Sequence, residues 1–187
     1  MGGYFNAIGE EFKKSWWNAV VIIVFTIARL LFGWDWFKAG VDKFSWFSDG
    51  KADSKGMIMG MVNNLVHSHG SDPLHLNNLL IWLANNLFIP MSGLTDFLVV
   101  ACETLIGIFV FFGFGFVWAI LVATFLNLQY AAAGAANNFG YLVTDIVWLK
   151  WPSYASLIGV DGYIRYRRGK KLVGAPSKEP NGGAAAV

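Results

Sequence analysis

Arg29, Glu103, Asn127 and Lys150 each interrupt a long apolar run. An isolated charge inside lipid costs several kcal/mol, so such groups pair across a bundle interior and are functional candidates by default. With a helical rise of about 1.5 Å per residue, Arg29 lies about 18 Å beyond residue 17, and Glu103 about 14 Å inward from residue 94. In an apolar layer about 30 Å thick those depths nearly coincide. The expected pair is therefore Arg29 with Glu103. Asn127 and Gln129 are its hydrogen-bonding neighbours, and Lys150 falls at a similar level. Two chemistries fit this constellation. One is a structural ion pair that fixes helix register. The other is a pocket for a quinone head group or a small anion, with Glu103 exchanging protons. Lys150 either faces the pocket or snorkels to the interface. Asp145, one turn into its segment, reads as interfacial.

The elements that must carry these residues are membrane helices. A hydrophobic fraction of 56% against 14% charged, with mean hydropathy +0.49, is wrong for a soluble domain. The 187 residues suit one domain over 1–171 followed by a disordered, Gly/Ala/Pro-rich tail over 172–187. Four segments reach the roughly 20 residues needed to cross a bilayer: 17–36, 94–112, 116–135 and 141–163. Trp151-Pro152 should kink the fourth. The fold class expected is all-α, an integral membrane four-helix bundle. Its outer loop, 39–93, carries short interfacial helices, because paired asparagines punctuate its apolar stretches at Asn77/Asn78 and Asn85/Asn86. Lys13 and Lys14 precede the first span, and Arg165, Arg167, Arg168, Lys170 and Lys171 follow the fourth. Both termini should then face the cytoplasm, in the inner membrane.

Several chemistries are excluded. A lone cysteine, Cys102, gives no internal disulfide and no Cys-based zinc site, and it reads as a packing residue. His67, His69 and His75 all lie in the outer loop, so no span offers an axial haem ligand. Their HxH spacing is a weak metal signal, and no metal site is expected from it. The FGFGF at 112–116 is a turn between spans, without the strand and helix context of a nucleotide or flavin loop. A net charge of +2 gives no reason to expect nucleic acid. Trp16, Trp17, Trp34, Trp36, Trp46 and Trp82 sit near segment ends, where aromatic belts form. Stacking on a quinone ring is their second role, with Trp34 the candidate for it.

The stretch RLLFGWDWFKAGVDKF resembles the first-helix signature of the DoxX/DoxD family through Arg29, Gly33-Trp34, Phe37, Gly40 and Lys43. ETLIGIFVFFG, with Glu103 and Gly107, then NLQYAAAG and GVDGYI continue the resemblance in order to about residue 164. It implies a four-helix membrane fold, with Arg29 and Glu103 as a buried polar pair. For DoxD members it implies oxidation of thiosulfate to tetrathionate, with electrons passed to membrane quinone and a small second subunit as partner. For other members it implies an accessory or assembly role within a larger membrane redox complex.

Overall fold

The computed structural model describes residues 2–47, 51–67, 72, 75–134 and 138–173. Among them every regular element is helical. The order is α1 (Gly2–Lys14), α2 (Trp16–Asp42), a 3-10 turn (Phe44–Phe47), α3 (Asp53–Val66) and α4 (Leu76–Leu83). A π turn (Ala84–Phe88) continues α4. Then come α5 (Ser92–Phe112), α6 (Phe116–Ala132), α7 (Asn138–Lys150), α8 (Pro152–Ala155) and α9 (Val160–Arg167).

Local chemistry sets the boundaries. Ser15 caps α2, its hydroxyl accepting the Asn18 amide at 3.1 Å. The α5–α6 turn rests on Gly113 and Gly115, at φ 62° and 55°, a left-handed conformation that glycine adopts without the Cβ penalty. Pro152 has no amide hydrogen to give to Trp148 and its ring clashes with that carbonyl, so α7 stops at Lys150. The fourth expected span is thus not one helix. It comprises α7, the single turn of α8, an extended Gly159 and α9.

The largest helix contact is antiparallel, α2 against α5. Its register is set where a Cβ has no room. A Cβ on Gly33 would meet the Phe111 backbone N at 2.6 Å, one on Gly40 would meet the Thr104 backbone N at 2.6 Å, and Gly107 lies against the Phe37 backbone. Small residues let helix backbones approach this closely, as they do between membrane helices. The paired numbers 33/111, 37/107 and 40/104 each sum to 144. Glu103 is therefore level with residue 41, and Arg29 with residue 115.

That stagger divides the molecule. The C-terminal half of α2 packs with α5, α6 and α7 around Phe32, Trp36, Ile106, Val110, Phe116 and Trp148. A second core gathers Tyr4 and Ile8 of α1, Ile22 of α2 and Leu157. Leu172 and Val173 are buried in that second core, so the first two residues of the expected disordered tail are part of the fold; 174–187 lie outside the described residues. The expected outer loop is shorter than 39–93, because α2 runs on to Asp42, and its described residues include α3, α4 and the π turn. Asp96 of α5 fixes α3 by accepting the Asp53 and Ser54 amides at 3.2 and 2.8 Å.

Two helical stretches, Trp16–Phe47 and Ser92–Phe112, are long and apolar enough to cross a membrane; α6 is apolar but shorter.

Candidate functional site

The ion pair expected between Arg29 and Glu103 does not form. The depth argument counted α2 from residue 17 to 36, whereas the glycine contacts slide α5 toward the far end of α2. Arg29 sits opposite residue 115, twelve residues from Glu103, or about 18 Å along the axis. Each finds other partners.

Arg29 is 2% exposed and donates from Nη2 to the Ile158 carbonyl at 2.7 Å, beside Gly113 and Gly159. Asp161 stands nearby and caps α6 from outside, its two carboxylate oxygens accepting the Gly115 and Phe116 amides at 3.0 and 2.8 Å. The Tyr4 hydroxyl donates to the Leu157 carbonyl in the same knot. These bonds tie α1, α2, the α5–α6 turn and α9 together. They place Arg29 in a structural knot through Nη2, while its Nε and Nη1 are buried with no hydrogen-bond partner among the described residues.

Glu103 is 1% exposed and belongs to a triad missed by depth counting. Lys43 Nζ donates to its Oε2 at 2.6 Å, and the Tyr130 hydroxyl donates to its Oε1 at 2.6 Å. Lys43 also reaches the Ala39 carbonyl at 3.2 Å, while its side chain keeps partial contact with solvent. The register makes the pair: with residue 41 opposite Glu103, Lys43 lies half a turn further on. Beside this triad a second polar chain crosses from α6 to α7. Asn127 donates to Asp145 at 2.8 Å and accepts from Asn138 at 2.9 Å. Asp145 is fully buried rather than interfacial. Lys43, Glu103, Tyr130, Asn127 and Asn138 line a cavity of about 200 Å³, with Asp35, Trp36 and Tyr141 completing its wall.

Behind Tyr130 lies a second cavity of about 200 Å³, walled almost wholly by apolar atoms. The outer-loop helices wall part of it: Met57 and Met61 of α3 and Phe88 of the π turn line it together with Leu98 and Val99 of α5 and Phe125 of α6. Cys102 and Gln129 also line it. Both amide atoms of Gln129 are buried and have no hydrogen-bond partner among the described residues. Tyr130 is common to both cavities.

Of the residues singled out by sequence, the structure thus brings together Glu103 and Asn127 at the polar cavity and places Gln129 behind it. Arg29 is remote. Trp34 is 52% exposed on the outer face of α2, and Lys150 is exposed with its Nζ 4.8 Å from the Trp151 ring centroid; neither lines either of these two cavities. His67 caps α3, its Nδ1 2.8 Å from the Asn63 carbonyl oxygen, His75 precedes α4, and His69 lies outside the described residues. Among the described residues no cluster of three metal-ligating side chains occurs.

Fold and site together define an all-helical chain with an ion-paired carboxylate set between one polar and one apolar cavity. No family model, curated protein or solved structure matches the chain.

Proposed function

We propose that the chain is a membrane redox subunit resembling DoxD, in which the Lys43–Glu103–Tyr130 triad exchanges protons with membrane quinone as thiosulfate is oxidised to tetrathionate. In this reading α2 and α5 cross the inner membrane and α6 and α7 complete a four-helix bundle. Both termini face the cytoplasm, as the basic flanks suggest. The observation that carries the reading is the triad itself: a buried carboxylate held by a lysine that reaches solvent and by a tyrosine that reaches an apolar cavity.

Joining two thiosulfates by a new S–S bond would release two electrons, and a quinone, when bound, would supply the acceptor for those electrons together with two protons. The chain's own residues serve the protons. Lys43 lines the polar cavity and offers a path for protons to Glu103. Glu103 holds the charge within reach of Tyr130, and the Tyr130 hydroxyl lies at the wall between polar and apolar compartments. The residues fit a quinone because the orphaned Gln129 amide gives the apolar cavity a hydrogen-bonding group of its own. The thiosulfate donor and the small second subunit rest on the family resemblance. Lys38, exposed on α2, supplies the positive charge that would draw the anion; Lys43 is already paired with Glu103, and Arg29, buried in its knot, has no such part.

The test is thiosulfate-dependent quinone reduction by purified protein. Glu103→Gln should abolish turnover, whereas Arg29→Lys, if it folds, should retain it. Full activity in a folded Glu103→Gln protein sinks the proposal.

One observation favours a second reading, an accessory or assembly subunit of a larger membrane complex. The α7 helix, 13 residues, is about 20 Å long, short of a bilayer core about 30 Å thick. Its outer face carries Phe139, Val143 and Ile146, each more than 60% exposed. A partner subunit would cover that face. Native mass spectrometry of gently solubilised membranes separates the readings: an active, homogeneous single-subunit species rejects the accessory role.

A further inference from the structure

The apolar cavity is ring-sized. At about 200 Å³ it modestly exceeds the cavities of about 150 Å³ that stay dry and bind benzene in engineered protein cores. It has room for one six-membered ring with small substituents but not for a long chain. It is open on one side, where Met57 at the rim is 40% exposed and Leu98 48% exposed. The apolar lining offers the buried Gln129 carboxamide no partner among the described residues, and an unmet buried polar group costs about 1–3 kcal/mol. Gln129 carries two such atoms, Nε2 and Oε1. An occupant that meets the amide would remove that cost.

We infer that this cavity binds the ring of a lipid-soluble carbonyl or phenol compound, with the Gln129 carboxamide as its anchor and the remainder of the molecule leaving past Met57 and Leu98 into lipid. A carboxamide suits both oxidation states of such a ring. Its Nε2–H donates to a ring carbonyl and its Oε1 accepts from a ring hydroxyl, without a change of charge at the site. The opposite wall supplies flexible thioethers, Met57 and Met61, which pack on aromatic edges and adapt to substituents. The inference deepens the proposed function, placing the quinone ring on the apolar side of Tyr130; ring binding itself does not depend on turnover.

The test uses full-length protein in lipid nanodiscs, with a decyl-substituted benzoquinone and decanol as probes. Trp46 lines the cavity, so ring entry is read as quenching of its emission, by difference from Trp46→Phe. Decanol competition is read as recovery of that emission. Saturable quenching by the quinone is expected, weakened about tenfold in Gln129→Leu, which loses roughly one hydrogen bond. Met57→Phe, which places a rigid ring at the rim without touching the anchor or adding a fluorophore, should also weaken it. Equal quinone affinity in Gln129→Leu and the native chain overturns the assignment of the anchor. Decanol displacing the quinone at equal concentration shows a site for alkyl chains and overturns the ring. If quenching follows expectation but Glu103→Gln still turns over, the ring site stands and the proton-exchange reading falls; unchanged quenching in Gln129→Leu with a dead Glu103→Gln gives the reverse.

Discussion

Lys43, one residue past the end of α2, donates a 2.6 Å hydrogen bond to Glu103 in the middle of α5. The two partners are unequally placed, since the lysine side chain is 24% exposed and the glutamate 2%. Removing the lysine strands a buried carboxylate, at a cost of about 3–5 kcal/mol. Removing the charge from Glu103 leaves a lysine that can turn to water, at about 1 kcal/mol. Thermal unfolding in mild detergent should therefore rank Lys43→Met well below Glu103→Gln. The double variant should recover most of the lysine loss. Equal destabilisation by the two single changes contradicts the asymmetry.

The close approach of α2 and α5 gives a prediction of opposite signs at two glycines. Gly107→Ala drives a methyl into the Phe37 backbone, and overpacking of this kind costs about 1–3 kcal/mol. Gly56→Ala lies on α3 with nothing near its added methyl and should stabilise by about 1 kcal/mol through helix propensity. Unfolding midpoints of the two variants, compared with the native chain, should move in opposite directions.

The same glycines show what was legible in the sequence. Apolar runs and the Gly-Phe-Gly turn located α5 and α6 to within a few residues, because hydrophobicity and glycine chemistry are local properties. The partner of Glu103 was not legible from run lengths, which assume that neighbouring helices start in one plane. Gly33, Gly40 and Gly107 set a stagger instead, and small residues seven apart on one helix were the available signal. Asp145 was misplaced for a related reason. The helix break at Pro152 confines α7 to Asn138–Lys150, which puts Asp145 near its middle and against Asn127 of α6 rather than one turn into a longer span.

Asp161 accepts two amides at the start of α6, which carries the positive end of its dipole there. Asp161→Ala should cost about 1–2 kcal/mol. Limited proteolysis should detect it as new cleavage within 113–115, and Asp161→Asn should lie between the two.

Tyr4 gives a pH signature outside the spans. Burial pushes its hydroxyl above the ordinary value of 10.0, partly offset by Gly159, Arg165 and Arg29 nearby. The unfolded chain therefore ionises first. The stability that Tyr4 contributes is complete below pH 10 and is lost as pH rises from there through the raised folded value. Tyr4→Phe should cost about 1 kcal/mol at neutral pH. It should also flatten the alkaline slope in unfolding measured across that range.

The bond from Asp161 to Phe116 joins residues 45 apart in the chain. On the ribosome, α6 is complete long before its cap exists. Until that aspartate emerges, the Gly115 and Phe116 amides lack the acceptor they use in the finished fold, and Arg29 lacks the Ile158 carbonyl it binds. The last quarter of the polypeptide thus acts as a latch, closing at the end of synthesis on helices made earlier. A stalled or truncated chain that stops before residue 158 carries the triad of Lys43, Glu103 and Tyr130 in full, but without the fastener at the other end of the bundle.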